Sequence, residues 1–316
     1  MSGPEKRTVT GDEAGIRLDR WFRRHYPDLL HGRLEQLLRK GQIRLDGART
    51  RANARLAAGQ SIRVPPLGAG RASPPRKIPP AAVSEADAAA IQATVLHRDA
   101  TVIVLNKPPG LAVQGGTNTR RHLDAMLDAL QFGAAERPRL VHRLDKDTSG
   151  CLVLARQAAA AAALGRAFRS RAVRKIYWGL VAGHPKPPRG QIDASLGKAA
   201  VGGREKMTPG TGRAALTLYR TLERAGPRAW LELEPRTGRT HQVRAHCAHL
   251  GTPILGDGKY GGRAAFPAIS RLPQGLYLHA RTIEFPHPDG GKLVVTAPPP
   301  AAMVEALRLL GFSAAD

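Results

Sequence analysis

The chain has 316 residues, enough for one to three domains, and its 42% of hydrophobic residues supplies a sizeable core. Lys and Arg total 49 against 25 acidic residues, a net charge of +24 with an isoelectric point near 11.3, and such a balance points to a polyanion, usually nucleic acid. The sequence has no apolar run of about 18 residues, no basic amphipathic helix, no lipidation motif and no apolar signal-peptide core, so a membrane partner is not expected.

Residues 1–15 read as a leader or an edge strand. Leu18, Trp21 and Phe22 then fall at i, i+3 and i+4, an amphipathic helix. Gly32–Lys40 predicts a second helix, with Leu34, Leu37 and Leu38 on one face and Gly41 as its stop. Gln42–Ala48 alternates and turns at Asp46-Gly47, a hairpin signal, and Gly59–Val64 closes the unit with a strand. Through residue 64 there are 14 Lys+Arg against 7 Asp+Glu. Arg33, Arg39, Lys40, Arg44 and Arg51 crowd the second helix and the hairpin. Residues 65–90 form a linker, because Pro65-Pro66, Pro74-Pro75 and Pro79-Pro80 exclude a continuous helix or a central strand.

The larger domain, 91–316, starts with a buried strand at Thr101–Leu105 and a turn with a short strand over Asn106–Val113. A helix is expected over Thr119–Phe132, with Leu123, Met126, Leu127 and Leu130 facing in. Two short apolar runs, Pro138–Val141 and Cys151–Ala155, read as strands. Between them stands the most charged turn of the chain: His142-Arg-Leu-Asp-Lys-Asp-Thr-Ser-Gly150. Arg143 and Asp145 would share a face in an extended segment, and an adjacent guanidinium keeps a carboxylate ionised and oriented. Asp147 faces the same way and is read as a surface residue.

Gln157–Arg171 is an Ala-rich helix with Leu164 and Phe168 as its apolar face. Ala172–Gly183 is a strand carrying Tyr177. His184–Gly210 reads as a basic loop with a strand-like Gln191–Ser195, followed by meander strands at Ala214–Leu222 and Ala229–Leu233. Thr240 is a plausible N-cap for a helix from His241 to Leu250, which places Arg239 and Arg244 around an anion-friendly helix start. His246, Cys247 and His249 lack further ligands at metal spacing, so no metal is expected. Leu276–Ala280 and Thr282–Phe285 read as paired strands, and Pro298–Leu310 as a closing helix with Met303, Leu307 and Leu310 inward. The sequence contains no phosphate-binding glycine motif and no HExxH, and no cofactor is expected.

The string His142-Arg-Leu-Asp145-x-x-Thr-Ser-Gly150 resembles the catalytic motif of the RluA-type pseudouridine synthases. Asn106-Lys107-Pro-x-Gly110, Lys175-x-Tyr177-x-x-x-Val-x-Gly183 and Gly238-Arg-Thr-His-Gln-Val-Arg244 match further elements of that family, as does Gly256–Gly262. The N-terminal helix–helix–hairpin module is similar to the small RNA-binding domain first named from a small-subunit ribosomal protein. That module and Gln114-Gly-Gly resemble the RluC branch, which modifies large-subunit ribosomal RNA.

The resemblance implies an α+β fold: a mixed, mostly antiparallel central sheet with flanking helices, plus the small RNA-binding domain. It implies isomerisation of uridine to pseudouridine in RNA, with the base flipped out and the glycosidic bond moved from N1 to C5. Asp145, Tyr177 and Arg239 would be catalytic, with Arg239 fixing the carboxylate from the side opposite Arg143. His142, Arg143, Lys107, His241 and Arg244 would bind substrate, and Arg33, Arg39, Lys40, Arg44 and Arg51 would bind RNA. Asp145 would attack C1′, stabilise a sugar cation or abstract the C2′ proton; sequence leaves all three open. A non-catalytic ribosome assembly factor is the alternative, and an RNA glycosidase a third reading. The expected partner is ribosomal RNA, free or in a pre-ribosomal particle, and the protein is expected to be a monomer. Two isolated cysteines, Cys151 and Cys247, fit a cytoplasmic location.

Overall fold

The computed structural model describes residues 3–67, 83–115, 119, 121–201, 204–269 and 271–313. Most of the expected linker, Gly116 of the Gln114-Gly-Gly segment, and Gly203 lie outside the described residues. The chain forms two compact units, Met1–Pro79 and Pro80–Asp316. Among the described residues no helix is long and apolar enough to cross a membrane.

The first unit contains strand β1 (Glu5–Thr8), helices α1 (Leu18–His25) and α2 (His31–Arg39), and strands β2 (Arg44–Leu45), β3 (Ala48–Arg49) and β4 (Ser61–Val64). Residues 1–15 thus contribute an edge strand, in an antiparallel sheet of order β1-β4-β2-β3. Leu18, Trp21 and Phe22 pack on Leu34, Leu37, Ile43 and Ile62, the core anticipated from the two leucine-rich faces. Asp46 and Gly47 both take positive φ, 49° and 77°, the geometry of the tight turn that matches strand twist. The Asp46 carboxylate then accepts from the Ser61 amide at 2.7 Å, tying the hairpin to β4.

The second unit begins with α3 (Glu85–Gln92), within the segment expected to be linker. Ser84 caps it, its hydroxyl accepting from the Asp87 amide at 3.1 Å. Then follow β5 (Val95–Arg98), β6 (Val102–Lys107), α4 (Leu123–Met126), β7 (Arg139–Leu140), β8 (Ser149–Ala155), α5 (Ala158–Ser170) and β9 (Arg174–Ala182). The segment expected as a basic loop instead holds β10 (Arg189–Asp193), β11 (Leu196–Val201) and β12 (Arg204–Pro209). The chain ends with β13 (Leu216–Ala225), β14 (Arg228–Pro235), α6 (Gln242–His249), β15 (Leu278–Pro286), β16 (Lys292–Thr296) and α7 (Ala301–Leu310). The two strands expected near 276–285 are one continuous strand, β15, whose hairpin partner is β16. The helix expected over 119–132 is short, α4 continuing as a 3₁₀ turn through Leu130.

The main sheet runs β10-β13-β14-β9-β15-β8-β6-β5, with β16 on β15 and β7 on β8. Its described pairings are antiparallel except β15 with β8. β6 and β8 are buried on both faces, which is why they read as unbroken apolar runs. Ile103, Leu105, Leu152 and Leu154 pack beneath α3 and α4. Val102, Val104, Cys151 and Val153 pack against α5 and Phe285. At the parallel junction Gly150 has φ 106°, and a Cβ there would lie 2.2 Å from the Ala280 carbonyl oxygen. Ser149 adds a buried hydrogen bond to His279 Nδ1 at 2.9 Å across the same junction. The charged turn therefore leaves the sheet at its most constrained point.

Candidate active site

A cavity of about 680 Å³ lies over this junction. The 142–148 turn, the end of α5, β9, the 235–241 turn and the start of α6 form its walls. Among the described residues lining it, Asp145 is the one carboxylate, beside eight Arg and Lys residues.

The expected pair between Arg143 and Asp145 does not form. The segment is an irregular turn closed by the Thr148 amide on the Asp145 carbonyl at 3.2 Å, so alternation along a strand does not apply. Arg244 takes the place assigned to both Arg143 and Arg239. Its Nη1 lies 3.4 Å from Asp145 Oδ2, and its Nε and Nη2 donate to Asp257 at 2.7 and 2.8 Å. Burial opposes the Arg244 charge, but Asp257 and Asp145 outweigh it and hold the guanidinium above its ordinary range. A buried Arg between two carboxylates, gripped bidentately by one, is a fixed bracket for the other.

His241 approaches the opposite oxygen, with Nε2 at 3.8 Å from Asp145 Oδ1, while its Nδ1 meets the Tyr260 hydroxyl at 2.8 Å. Burial lowers the His241 pKa against the pull of Asp145, which favours a neutral ring. With Tyr260 donating to Nδ1, the Nε2–H faces the carboxylate. His241 is also the N-cap of α6, in the left-handed conformation at φ 52°, in place of Thr240. Gln242 makes that turn possible: it accepts from the Thr237 hydroxyl and the Arg239 amide, and donates to the Leu216 carbonyl and the Thr217 hydroxyl.

Tyr177 sits mid-sheet on β9, opposite Leu233 and Ala280, and lines the cavity. Burial and the Asp145 charge raise its phenol, so it enters any reaction neutral. Arg143 is exposed on the cavity wall, with no ion pair or hydrogen bond among the described residues. Asp147 is exposed and outside the cavity.

Three expected roles change. Arg239 lines the cavity, but its Nε donates to the Ala214 carbonyl at 3.0 Å and it does not reach Asp145. Lys107, expected at the substrate, is fully buried and outside the cavity. Its ammonium donates to the carbonyls of Pro108, Leu111 and Lys146 at 2.8–2.9 Å, clamping the turn that carries Asp145 from below. Burial pushes it down to about 8, against Asp147 and Asp145. His142 lines the wall but is tied to structure: its Nε2 accepts from the Val153 amide at 2.8 Å and its ring stacks on Phe168 at 4.4 Å. Burial, with Lys175 nearby, takes it down to about 3, so it is neutral.

Sequence reasoning missed Asp257, Tyr260 and Lys175 as site residues. Asp257 had a signal, a lone carboxylate between glycines in Gly256–Gly262, but its partner Arg244 is thirteen residues away on α6. In the first unit, Arg39 and Arg51 meet in a groove of about 460 Å³ with Arg17, which the sequence reading had not singled out. Arg33 and Lys40 are exposed elsewhere. Arg44 is tied to the backbone, donating to the carbonyls of Gly41 and Gly47 at 3.2 and 2.9 Å.

A lone carboxylate bracketed by cations, beside a neutral phenol in a basic cavity, defines an acid–base or nucleophilic site for a polyanionic substrate. The family model described as RNA pseudouridylate synthase matches residues 101–249, the span that contains Asp145, Tyr177 and Arg244. The ribosomal large subunit pseudouridine synthase C of Vibrio cholerae is 34% identical over 95% of this chain and 94% of its own. Its counterpart of the same name in Escherichia coli K12 is 31% identical over 96% and 95%. Among solved structures, human RNA pseudouridylate synthase domain containing 4 superposes with a TM-score of 0.59 at 31% identity, covering 71% of this chain and 95% of that one. The chain belongs to the RluA-type RNA pseudouridine synthase family. It is an isomerase that converts uridine in RNA to pseudouridine.

Proposed function

We propose that the RNA is large-subunit ribosomal RNA and that Asp145 carries the chemistry. The observation that supports this most is the Asp145 carboxylate pinned by Arg244, itself locked on Asp257, in a cavity with no second acidic residue among the described residues that line it. Hydrolysis of a glycosidic bond calls for two carboxylates around a water. A single carboxylate among cations suits breaking the C1′–N1 bond and rejoining C1′ to C5, as nucleophile, cation stabiliser or C2′ base. Uridine must leave its stack to reach Asp145, at a cost of a few kcal/mol. Arg143, exposed and without a partner among the described residues, fills the vacated position or meets phosphate, and Tyr177 packs on the base.

The Vibrio cholerae and Escherichia coli relatives act, by their names, on the large ribosomal subunit, and their coverage of nearly the whole chain supports the same substrate here. The first unit is then the RNA-binding module, with Arg39 and Arg51 in its groove. Its contacts are sequence-independent and salt-sensitive. A ribosomal substrate, free or within a pre-ribosomal particle, is compatible with a cytoplasmic location. Few large apolar side chains are exposed among the described residues, which fits a monomer.

The test uses ribosomal RNA tritiated at uracil C5, free and in immature particles. Wild type should release tritium to water and leave pseudouridine. Asp145→Asn should bind RNA with no release. Release of free uracil would instead mean hydrolysis, and equal behaviour of both proteins would remove Asp145 from the chemistry.

A further inference from the structure

Lys175 is a half-buried cation of this cavity, unlike the exposed Arg143, and it has no compensating partner among the described residues. It lines the cavity and is half-buried, yet no hydrogen bond or carboxylate engages its ammonium among the described residues. Burial alone lowers its pKa, with no acidic neighbour to offset the cost. Lys107, by contrast, has two aspartates acting on it and three carbonyls accepting from it. A buried, unpaired ammonium at the wall of a cavity is costly unless something else completes it.

Its position says what that is. Lys175 and Tyr177 are two apart on β9, so they project from the same face about 6.6 Å from one another. Asp145, Tyr177 and Lys175 all line the one cavity, Tyr177 and Lys175 from the same strand. A ribose with C1′ at Asp145 would leave its base in the same cavity as Tyr177 and Lys175. The phosphates belong to a different layer: Arg143, Arg169, Arg171 and Arg213 line the same cavity but are exposed, where hydrated phosphates lie.

We propose that Lys175 is a catalytic residue whose ammonium meets the uracil O4 carbonyl and stabilises the negative charge that the base acquires during glycosidic cleavage. When C1′–N1 breaks, its electron pair stays on N1 and spreads over O2 and O4. When C5 then bonds to C1′ the ring becomes neutral; the C5 proton departs to water and N1 takes a proton from water, leaving neutral pseudouridine. A fixed cation in a half-dry site acts on the charged species more than on neutral uracil.

This inference rests on the isomerase reading, and wild-type tritium release is the control that separates the two. No release by wild type would strike that reading; release by wild type makes the following arms a test of Lys175 alone. In Lys175→Met the single-turnover rate at saturating enzyme should fall about 100-fold. The RNA Kd and its salt slope should stay unchanged, and Tm should hold or rise because an unpaired buried charge is gone. Lys175→Arg, which keeps the charge, should recover at least about tenfold of the loss. A rate near wild type in Lys175→Met would overturn the proposal, as would equal losses in the two variants. So would a weaker Kd with the salt slope reduced by about one, the mark of a phosphate contact.

Discussion

Replacing Lys107 by Met distinguishes a clamp from a substrate contact. The change removes the donor of three charge-assisted hydrogen bonds, to Pro108, Leu111 and Lys146. A buried carbonyl left without its donor costs about 1–3 kcal/mol, so three cost roughly 3–9 kcal/mol. Against this, Met no longer buries a charge, a relief of about 3 kcal/mol read from the fall from 10.5 to about 8. The net loss is roughly 0–6 kcal/mol, and its midpoint of about 3 kcal/mol in a unit of this size lowers Tm by about 6–12 °C. Loss of the Lys146 anchor also frees the turn bearing Asp145, and a misplacement of about 1 Å at a reacting group costs about 100-fold in rate. Thermal unfolding and single-turnover tritium release on the same preparation test both effects, with RNA affinity unchanged. A Tm within about 2 °C of wild type, with weakened substrate binding instead, would refute the clamp and restore the substrate role.

Arg244→Lys keeps a charge but cannot hold Asp257 bidentately while reaching Asp145; tritium release should fall by about 100-fold, with a lower Tm from the loosened Asp257. Gly150→Ala drives a Cβ to 2.2 Å from the Ala280 carbonyl oxygen at φ 106°, and should cost about 3 kcal/mol or more in urea unfolding. By comparison, Gly165→Ala within α5 should gain about 0.5–1 kcal/mol, because its Cβ meets only the mobile end of Arg169 at 3.3 Å. In the first unit burial works against the Glu13 charge, but hydrogen bonds from Trp21, His25 and Thr10 prevail and hold its carboxyl at about 2, below 4.5. A depressed acid stabilises fully above its unfolded value and progressively less as pH falls, so about 3 kcal/mol should disappear between pH 4.5 and 2. Acid unfolding of Glu13→Gln followed by circular dichroism should lack that component.

What the sequence by itself determined was local. The apolar runs at 102–105 and 151–155, the amphipathic stripe of Leu18, Trp21 and Phe22, and the Asp46-Gly47 turn are written in adjacent residues, and each forms as read. The motif around Asp145 was also legible, because the residue types that carry the family likeness are contiguous. What only the tertiary structure decided was which cation serves which anion. Arg143, Asp145 and Arg239 are close to one another in motif logic, yet Asp145 pairs with Arg244, 99 residues away. Lys107 and Lys175 look alike in the sequence, but one is enclosed by three carbonyls and the other faces the cavity without a partner among the described residues. The physical reason is range: side-chain periodicity and turn chemistry act over a few residues. The pairing of charges depends on where sheet order and the left-handed turn at His241 bring distant segments, and on how much water each loses there.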